Sequence, residues 1–321
     1  MDRRLSLITP SGHLTLGNLL GALRPMAAGR QDAQNSADCF YGVADLHAMT
    51  TPHDPARLRS LSLETATLML AAGLDHATLF VQSRVAAHAQ LAYLLECTAS
   101  TGELARMIQF KEKGRERPST RVSLYTYPAL MAADILLYRP RQVPVGADQR
   151  QHVELARDLA IRFNSTYGPV FTVPEITVPA AGARVMRLDE PTRKMGKSGD
   201  GPGVVRLLDP PDVVRRKVAR AVTDSDTGPD AVRRDPAKPG VTNLLDILAA
   251  CGGSADAITT YGALKKAVTD AVVAELEPLQ KRYADLSADP TYVTGVYEAG
   301  AERCREVAAP VLAAAQAAMG L

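Results

Sequence analysis

The 321-residue sequence lacks tryptophan, has few aromatic residues (5%) and contains only four cysteines. These cysteines, Cys39, Cys97, Cys251 and Cys304, lie far apart, and none stands at metal-ligand spacing from another cysteine or a histidine. A structural zinc or iron–sulfur site is therefore not predicted, and the thiols are expected to be reduced and mostly buried. The missing tryptophan excludes nothing by itself.

Long apolar runs and an excess of one charge are also absent. No run approaches the roughly 20 residues of a membrane helix, and residues 1–7 are too short for the apolar region of a signal peptide. The net charge of +2 excludes a protein that coats nucleic acid indiscriminately. With 46% hydrophobic and 22% charged residues, the sequence predicts a globular cytoplasmic protein without membrane contact.

The first half of the chain alternates strand-like and helix-like patterns. Short apolar runs at 5–9, 39–44 and 78–82 are each followed by a stretch with apolar residues at helical spacing. This alternation predicts an α/β fold with a Rossmann-type parallel sheet covered by helices. Ligands of such folds bind at the carboxyl ends of the strands.

The second half is nearly all helical in pattern. We predict a Rossmann-type domain over residues 1–204 and a smaller helical domain over 205–289. A last helix, at about 290–321, is expected to pack back on the first domain. No internal repeat and no low-complexity tail interrupts this organisation.

The turn after the first strand has the composition of a nucleotide site. The strand leads into Thr9-Pro10-Ser11-Gly12, and a helix containing Gly17 and Asn18 begins close by. Backbone N–H groups at a helix start suit a phosphate, and glycine lets a nucleotide approach closely. An ordinary βα turn with tight packing is the alternative.

A second segment carries paired lysines. In Lys194-Met195-Gly196-Lys197-Ser198, two lysines three residues apart precede a run rich in glycine, 199–203. Such a loop can move, and its ammonium groups can reach a polyphosphate. The alternative is a solvated basic linker between the two domains.

A third segment, residues 127–138, is an apolar helix in which Asp134 is the only charge. Burying a carboxylate costs several kcal/mol unless donors satisfy it. Met131 lies three residues earlier on the same face, so both side chains can line one pocket wall. Asp134 either accepts a hydrogen bond from a ligand or pairs with an arginine or backbone donors.

A fourth segment follows the apolar positions Val143 and Val145. Glycine ends this run, and a densely polar helix begins at once after Gly146-Ala147-Asp148-Gln149. A polar cluster at a strand end favours ligand binding. An exposed helix with Glu154 paired to Arg150 or Arg157 is the alternative.

Together these segments resemble, in order and spacing, the bacterial tryptophanyl-tRNA synthetase family of class I, over essentially the whole chain. Residues 10–12 with 15–18 look like the family's form of the HIGH signature, and 194–198 resemble its KMSKS loop. The block 127–138 is the most specific match. Further similar blocks are 45–50, 109–113 and 146–149.

The resemblance implies an enzyme that uses ATP to activate L-tryptophan as tryptophanyl-adenylate, releases pyrophosphate, and transfers the amino acid to tRNA(Trp). It also implies a homodimer, Mg²⁺ that accompanies ATP without protein ligands of its own, and anticodon contact by the helical domain. A basic stretch there comprises Arg206, Arg215, Arg216, Lys217 and Arg220.

The resemblance also implies roles for individual residues. Lys194 and Lys197 would stabilise the departing pyrophosphate, with Lys111 assisting from the opposite side. Asp134 would accept the indole N–H. The positions matched to ATP binding are Thr9, Pro10, Ser11, Gly17, Asn18, Gly146, Ala147, Asp148, Val185, Lys194, Met195, Gly196, Lys197 and Ser198. Those matched to tryptophan binding are His47, Gln109, Tyr127, Met131, Asp134 and Gln149.

Four positions depart from the family pattern. Leu7 and Thr9 stand where glycine and glutamine are usual, Leu19 replaces a frequent aromatic residue, and Gly196 replaces the serine of the lysine loop. Threonine cannot span the distance that glutamine reaches. We hypothesise altered kinetics or altered sensitivity to inhibitors, as in an auxiliary copy of the enzyme.

Three alternatives to this function stay open. A tyrosine-specific relative would share the fold, but the block around Asp134 matches the tryptophan branch. An enzyme that adenylates tryptophan or an analogue without charging tRNA would not need the full-length helical domain. A non-catalytic regulatory paralogue would not need Lys194, Lys197 and Asp134.

Overall fold

The chain folds around short parallel strands. The structure, a computed structural model, describes residues 3–28, 39–113, 120–140, 142–144, 150–177, 184–197, 201–228 and 230–321. Its strands are β1 (Arg4–Ile8), β2 (Cys39–Val43), β3 (Thr78–Val81), β4 (Gln142–Pro144) and β5 (Glu175–Thr177). β2 pairs in parallel with β1 and β3, and β4 pairs in parallel with β5. The described strands thus form a three-stranded parallel sheet and a two-stranded parallel sheet, and β4 contacts β1 between them. The predicted α/β class is confirmed.

Helices make up most of the remaining described chain. Between β1 and β2 lie α1 (Leu16–Asn18), a π-helical segment (Leu19–Leu23) and α2 (Arg24–Ala28). The others in the first half are α3 (Asp45–Ala48), α4 (Pro55–Ala71), a 3₁₀ turn (Gln82–Arg84), α5 (Ala87–Glu96), α6 (Thr101–Ala105), α7 (Ile108–Lys113), α8 (Val122–Tyr138) and α9 (Arg150–Tyr167). The second half contains α10 (Pro211–Ala219), α11 (Pro239–Ala250), α12 (Tyr261–Ser287) and α13 (Pro290–Met319). Within the described ranges no helix has both the length and the apolar character to cross a membrane.

The sheet is covered on both faces, as its sequence pattern predicts. Every residue of β2 is buried, which is typical of a central strand in a parallel sheet. Because successive side chains alternate between faces, Phe40 and Phe80 enter one hydrophobic core, whereas Tyr41 and Leu79 enter the other. The second of these cores is continuous from the sheet to α12, and the domain boundary at about 205 stays a prediction.

The helix that carries Asp134 begins earlier than its sequence pattern suggests. The block 127–138 forms the C-terminal two thirds of α8, and Pro128 lies inside the helix. The helix ends where Arg139 adopts a left-handed conformation, with φ of 49°. A helix through an internal proline loses one backbone hydrogen bond, but burial of the apolar residues around Asp134 stabilises it.

The C-terminal helix α13 packs against β3, α5 and α8. Gly300 is the point of closest approach, because a Cβ there would lie 2.7 Å from the carbonyl carbon of Leu79 and 3.1 Å from its nitrogen. Nearby, the Tyr297 hydroxyl donates to the Ala66 carbonyl of α4 at 2.9 Å. Helix and strand therefore meet backbone to backbone.

We expect Gly300→Ala to destabilise the protein by about 2 kcal/mol or more, because backbone must move to admit the methyl group. The matched control is Gly295→Ala in the same helix, where a Cβ meets nothing within 4 Å. There the higher helix propensity of alanine should stabilise by roughly 0.5–1 kcal/mol. Urea unfolding of both variants measures the two changes, and equal stabilities would contradict the packing described.

Candidate active site

Polar side chains collect at the carboxyl edge of the sheet. Thr9 directly follows β1, Asp45 and His47 follow β2 on α3, and Gln82 follows β3. Because parallel strands end at the same edge, the topology brings these separate segments together. This edge is where the predicted site residues of the first half converge.

The lysine loop is docked on the turn after β1. The Lys197 ammonium donates to the Thr9 carbonyl at 2.6 Å, and the Thr15 hydroxyl donates to the Met195 carbonyl at 3.3 Å. Residues 186 and 194 form an antiparallel bridge, and the Met195 N–H donates to the Val185 carbonyl at 3.0 Å. The two segments predicted to meet one nucleotide therefore touch each other.

Two glycines permit this docking. A Cβ at Gly12 would overlap the backbone carbonyl of Lys197, and one at Gly17 would lie 3.2 Å from the Met195 oxygen and 3.6 Å from the Val185 Cβ. A nucleotide is predicted from the sequence to lie close to Gly17, but in this structure the backbone of the lysine loop occupies that position. Gly196, in contrast, has open space around it, so a serine would fit at this departure from the family pattern.

The loop lysines are held in different surroundings. Lys194 is exposed and Lys197 is half-buried. Burial, and then the charge of Lys194, lower the pKa of Lys197 to about 8. A bound anion would offset both the burial of the Lys197 ammonium group and its repulsion by Lys194. The two lysines are therefore suited to binding a phosphate chain.

Asp134 lies at the centre of a buried polar cluster. Its side chain is 3% exposed. The Oδ1 atom accepts hydrogen bonds from Gln82 Nε2 at 2.7 Å and His88 Nδ1 at 2.6 Å, and Oδ2 accepts one from His47 Nε2 at 2.7 Å. Burial raises the pKa of this carboxyl, but the charge of His47 and the hydrogen bonds from His47 and His88 bring it down to about 2. Its described partners are thus two histidines and an amide, and none is an arginine.

Aromatic and apolar side chains surround this cluster. The His47 ring meets the Tyr127 ring edge to face, with centroids 6.2 Å apart, and the Tyr127 hydroxyl hydrogen-bonds to His152 Nε2. Met131 is half-buried one turn before Asp134. The structure thus brings His47 into contact with Asp134 and Tyr127, and Met131 lies on the same helix as the last two. That these four residues form an amino-acid pocket stays a prediction.

Sequence reasoning missed three members of the cluster. Gln82, His88 and Tyr138 are buried at 0% exposure, and the Tyr138 hydroxyl lies 2.9 Å from His88 Nε2. The signal was present for Tyr138, which stands four residues after Asp134 on the same helix face. Gln82 and His88 are polar residues in apolar surroundings, but only the fold pairs them with Asp134.

Several predicted residues are not joined to the site. Lys111 lies on α7 with an exposed side chain, and within the described chain no ion pair or hydrogen bond links it to the loop lysines. Gln109 also lies on α7, but its side chain is not among the described parts of the structure. Gly146, Ala147, Asp148, Gln149 and Ser198 lie outside the described residues.

The basic stretch on α10 is only partly free to bind a polyanion. Lys217 is half-buried and donates to Asp209 at 2.6 Å and to the Val204 carbonyl at 2.7 Å. It therefore anchors α10 to the preceding loop. Arg215, Arg216 and Arg220 are exposed, with Arg216 paired to Asp212 at 3.2 Å.

A cavity of about 580 Å³ is lined by residues of α3, α4 and α13. Asp45, Leu58, Arg84 and Tyr297 are among its lining residues, whereas Asp134 and the loop lysines do not line it. None of the described hydrogen-bond partners of Asp134 lines this cavity. We therefore assign the candidate site to the sheet edge.

The parallel sheet, with the lysine loop docked on its glycine-containing first turn, agrees with the resemblance to class I synthetases. Residues 3–282 match the family model for tRNA synthetases class I (W and Y), and the chain belongs to this family. It is similar to tryptophan–tRNA ligase 1 of Streptomyces avermitilis, with 57% identity over 333 residues, covering 100% of this chain and 99% of the relative. The tryptophan–tRNA ligase of Caldanaerobacter subterraneus is 46% identical, with 100% and 99% covered.

Solved structures agree with these relatives. Tryptophanyl-tRNA synthetase from Mycoplasma pneumoniae superposes with a TM-score of 0.89 at 36% identity, covering 100% of this chain and 98% of that one. The Campylobacter jejuni enzyme complexed with ADP and tryptophan superposes with a TM-score of 0.84 at 30% identity, covering 99% and 100%. The similarity thus extends over both halves of the chain.

Proposed function

We propose that this chain is a tryptophan–tRNA ligase. A carboxylate oxygen of L-tryptophan attacks the α-phosphorus of ATP, the bond to the β-phosphate oxygen breaks, and pyrophosphate leaves with the bonding electrons. The aminoacyl group of the adenylate then passes to a ribose hydroxyl of tRNA(Trp), and AMP leaves. The carboxylate is already a nucleophile, so alignment and charge stabilisation suffice, without a catalytic base.

The observation that carries the proposal is the buried carboxylate of Asp134 at the ligand edge of the sheet. Its Oδ2 accepts a hydrogen bond from His47, and a second lone pair of this oxygen suits an indole N–H. Met131 and Tyr127, on the same helix, supply apolar and aromatic surface for the ring. Phenylalanine offers no N–H donor, so its binding leaves the carboxylate short of a partner and costs about 1–3 kcal/mol.

The docked turn and loop support an ATP site beside this pocket. We assign the triphosphate to the turn of Thr9, Pro10 and Ser11 and to Lys194 and Lys197 of the facing loop. The two ammonium groups stabilise the negative charge that develops on pyrophosphate. Mg²⁺ arrives with ATP, because this ion binds through substrate phosphates and keeps several waters. The other residues assigned to ATP are Gly17, Asn18, Gly146, Ala147, Asp148, Val185, Met195, Gly196 and Ser198.

The remaining partners belong to the same proposal. Exposed Arg215 on α10 and exposed Arg220 directly after α10 support contact with tRNA phosphates, which weakens as salt increases. A homodimer, which the resemblance to the family implies, belongs to the same proposal, and light scattering measures the oligomeric state. The site of action is the cytoplasm, where tRNA is charged.

The experiment that tests the function is ATP–pyrophosphate exchange with each of the 20 amino acids, followed by charging of tRNA(Trp). We expect exchange that depends on tryptophan, with tyrosine and phenylalanine weaker by at least about 100-fold in kcat/KM. Exchange that depends on tyrosine would assign the chain to the other branch of the family. Adenylate formation without tRNA charging would contradict the second step alone.

A further inference from the structure

His88 joins the Asp134 carboxylate to a second buried group. It lies on α5 at 0% exposure. Its Nδ1 is 2.6 Å from Asp134 Oδ1, and its Nε2 is 2.9 Å from the Tyr138 hydroxyl. Because an ionised carboxylate only accepts hydrogen bonds, the proton sits on Nδ1. Nε2 is then an acceptor for the Tyr138 hydroxyl, which holds the ring in this tautomer.

The ring has no room to turn. It stacks on Phe80 with centroids 5.7 Å apart and planes 19° from parallel. Tyr138 packs on Phe40 and Phe80, at 4.9 and 5.7 Å between centroids. Burial raises the pKa of the Tyr138 hydroxyl, and the Cys304 thiol of α13 lies close enough to raise it further. Asp134, His88, Tyr138 and Cys304 therefore form a continuous relay of side chains from α8 to the C-terminal helix. Each side chain in this relay limits the movement of the next.

The two carboxylate oxygens are used unequally. Oδ1 receives both Gln82 and His88, so its two lone pairs are occupied. Oδ2 receives only His47 among the described residues. Oδ2 therefore keeps one lone pair that can accept a further hydrogen bond. The two donors on Oδ1 orient the carboxylate and so determine the direction of this lone pair.

We infer that His88, held by Tyr138, is a positioning residue that fixes the Asp134 carboxylate as an acceptor for the side-chain N–H of the amino-acid substrate. The inference rests on the proposed function, since it assigns Asp134 to recognition of that N–H. His88 itself touches neither substrate nor ATP in this role. It acts by orienting Oδ2 and by keeping Asp134 ionised.

The ionisation of the Asp134 carboxyl depends on the hydrogen bond from His88. The titratable groups that face this relay are His47 on α3, His88 on α5, Asp134 and Tyr138 on α8, and Cys304 on α13. Loss of the His88 donor removes one of the influences that lower the pKa of Asp134 and leaves the opposing effect of burial. The carboxyl then takes up a proton more readily, so its acceptor function weakens as pH falls.

Two substitutions at His88 separate its two hydrogen bonds. In His88→Asn the amide nitrogen can occupy the position of Nδ1 and still donate to Asp134. In His88→Gln the amide reaches the position of Nε2 and loses that donor. We expect His88→Gln to raise KM for tryptophan about 10- to 100-fold, increasingly so from about pH 8 to about pH 5.5. KM for ATP should not change, and His88→Asn should stay within about threefold of wild type.

A substrate analogue gives the sharper measurement. In 3-benzothienylalanine a sulfur atom replaces the indole N–H, so the analogue has no donor for Asp134. The wild-type preference for tryptophan over this analogue, measured as a ratio of kcat/KM, should fall towards one in His88→Gln and persist in His88→Asn. Tyr138→Phe, which frees Nε2, should shift the ratio in the same direction and carries the test if His88→Gln does not fold.

The outcomes distinguish three failures. If His88→Gln and Tyr138→Phe keep the wild-type ratio and a pH-independent KM for tryptophan, the positioning role is overturned. If the wild-type enzyme itself activates tryptophan and the analogue equally, the assignment of Asp134 fails. If it activates neither, the proposed function fails as well.

Discussion

Replacing Lys197 by alanine is expected to lower kcat of ATP–pyrophosphate exchange by about 10²–10³, with little change in KM for tryptophan. The ammonium group lies at the carboxyl end of β1, where it donates to the Thr9 carbonyl at 2.6 Å. A preorganised cation of this kind stabilises charge that develops only in the transition state, so its loss acts on kcat.

The pH dependence of Lys197 follows from its surroundings. Its pKa is lowered to about 8 by burial and by Lys194. The protonated form, which binds a polyphosphate, therefore predominates below about pH 8 and is lost above it. We expect kcat/KM for ATP to fall as pH rises through this value. In Lys197→Arg the guanidinium stays charged, so the fall should disappear.

The control for these variants is Lys266→Ala. Lys266 lies on α12, exposed and paired with Asp270, so its loss should leave exchange within about twofold of wild type. Exchange by Lys197→Ala at the same level as this control would contradict the proposed role of the lysine loop. If kcat/KM for ATP falls with rising pH in Lys197→Arg as it does in the wild type, the pKa assigned to Lys197 is contradicted, but not the role of the lysine loop.

The second large effect is expected for Asp134→Asn, with kcat/KM for tryptophan lower by about 100-fold or more and KM for ATP unchanged. An amide keeps the shape of the carboxylate but has one oxygen, whereas Gln82, His47 and His88 all donate to this side chain. The amide N–H₂ must therefore face either one of these donors or the substrate. Loss of a charged hydrogen bond costs about 1.5–3 kcal/mol, and the unpaired buried donor adds to it.

Asp212→Asn provides the matched control for Asp134→Asn. Asp212 is exposed on α10 and paired with Arg216 at 3.2 Å, so its amide should behave as wild type. Exchange kinetics with tryptophan and thermal unfolding of both variants complete the comparison. If Asp134→Asn unfolds at the wild-type temperature and retains wild-type KM and kcat for tryptophan, Asp134 is not the specificity group.

Much of the first half of the fold was predictable from local patterns. The strands expected at 5–9, 39–44 and 78–82 were each placed within one residue of β1, β2 and β3 at either end. Buried strands are short apolar runs bounded by turn residues, and that signal is local. The first helix begins at Leu16, and the side-chain oxygen of Asn18 accepts a hydrogen bond from the Thr15 N–H at 3.0 Å just before it.

The site was predictable in part. Asp134 stood out as a lone charge on an apolar helix, and the paired lysines stood out beside glycine-rich sequence. The polar partners of Asp134 did not, since Gln82 and His88 are separated from it by 52 and 46 residues. A pairing at that separation leaves no trace in a local pattern.

Local sequence thus determined which segments are helices and strands, that the sheet is parallel, and which charge is buried without a neighbour in the chain. These properties follow from side-chain periodicity and from the cost of burying an ionised group. The tertiary structure alone decided that two histidines and an amide satisfy that charge, and that Lys197 docks on the turn after β1. Such contacts depend on which strand ends meet at one edge of the sheet, and strand order is a property of the assembled chain.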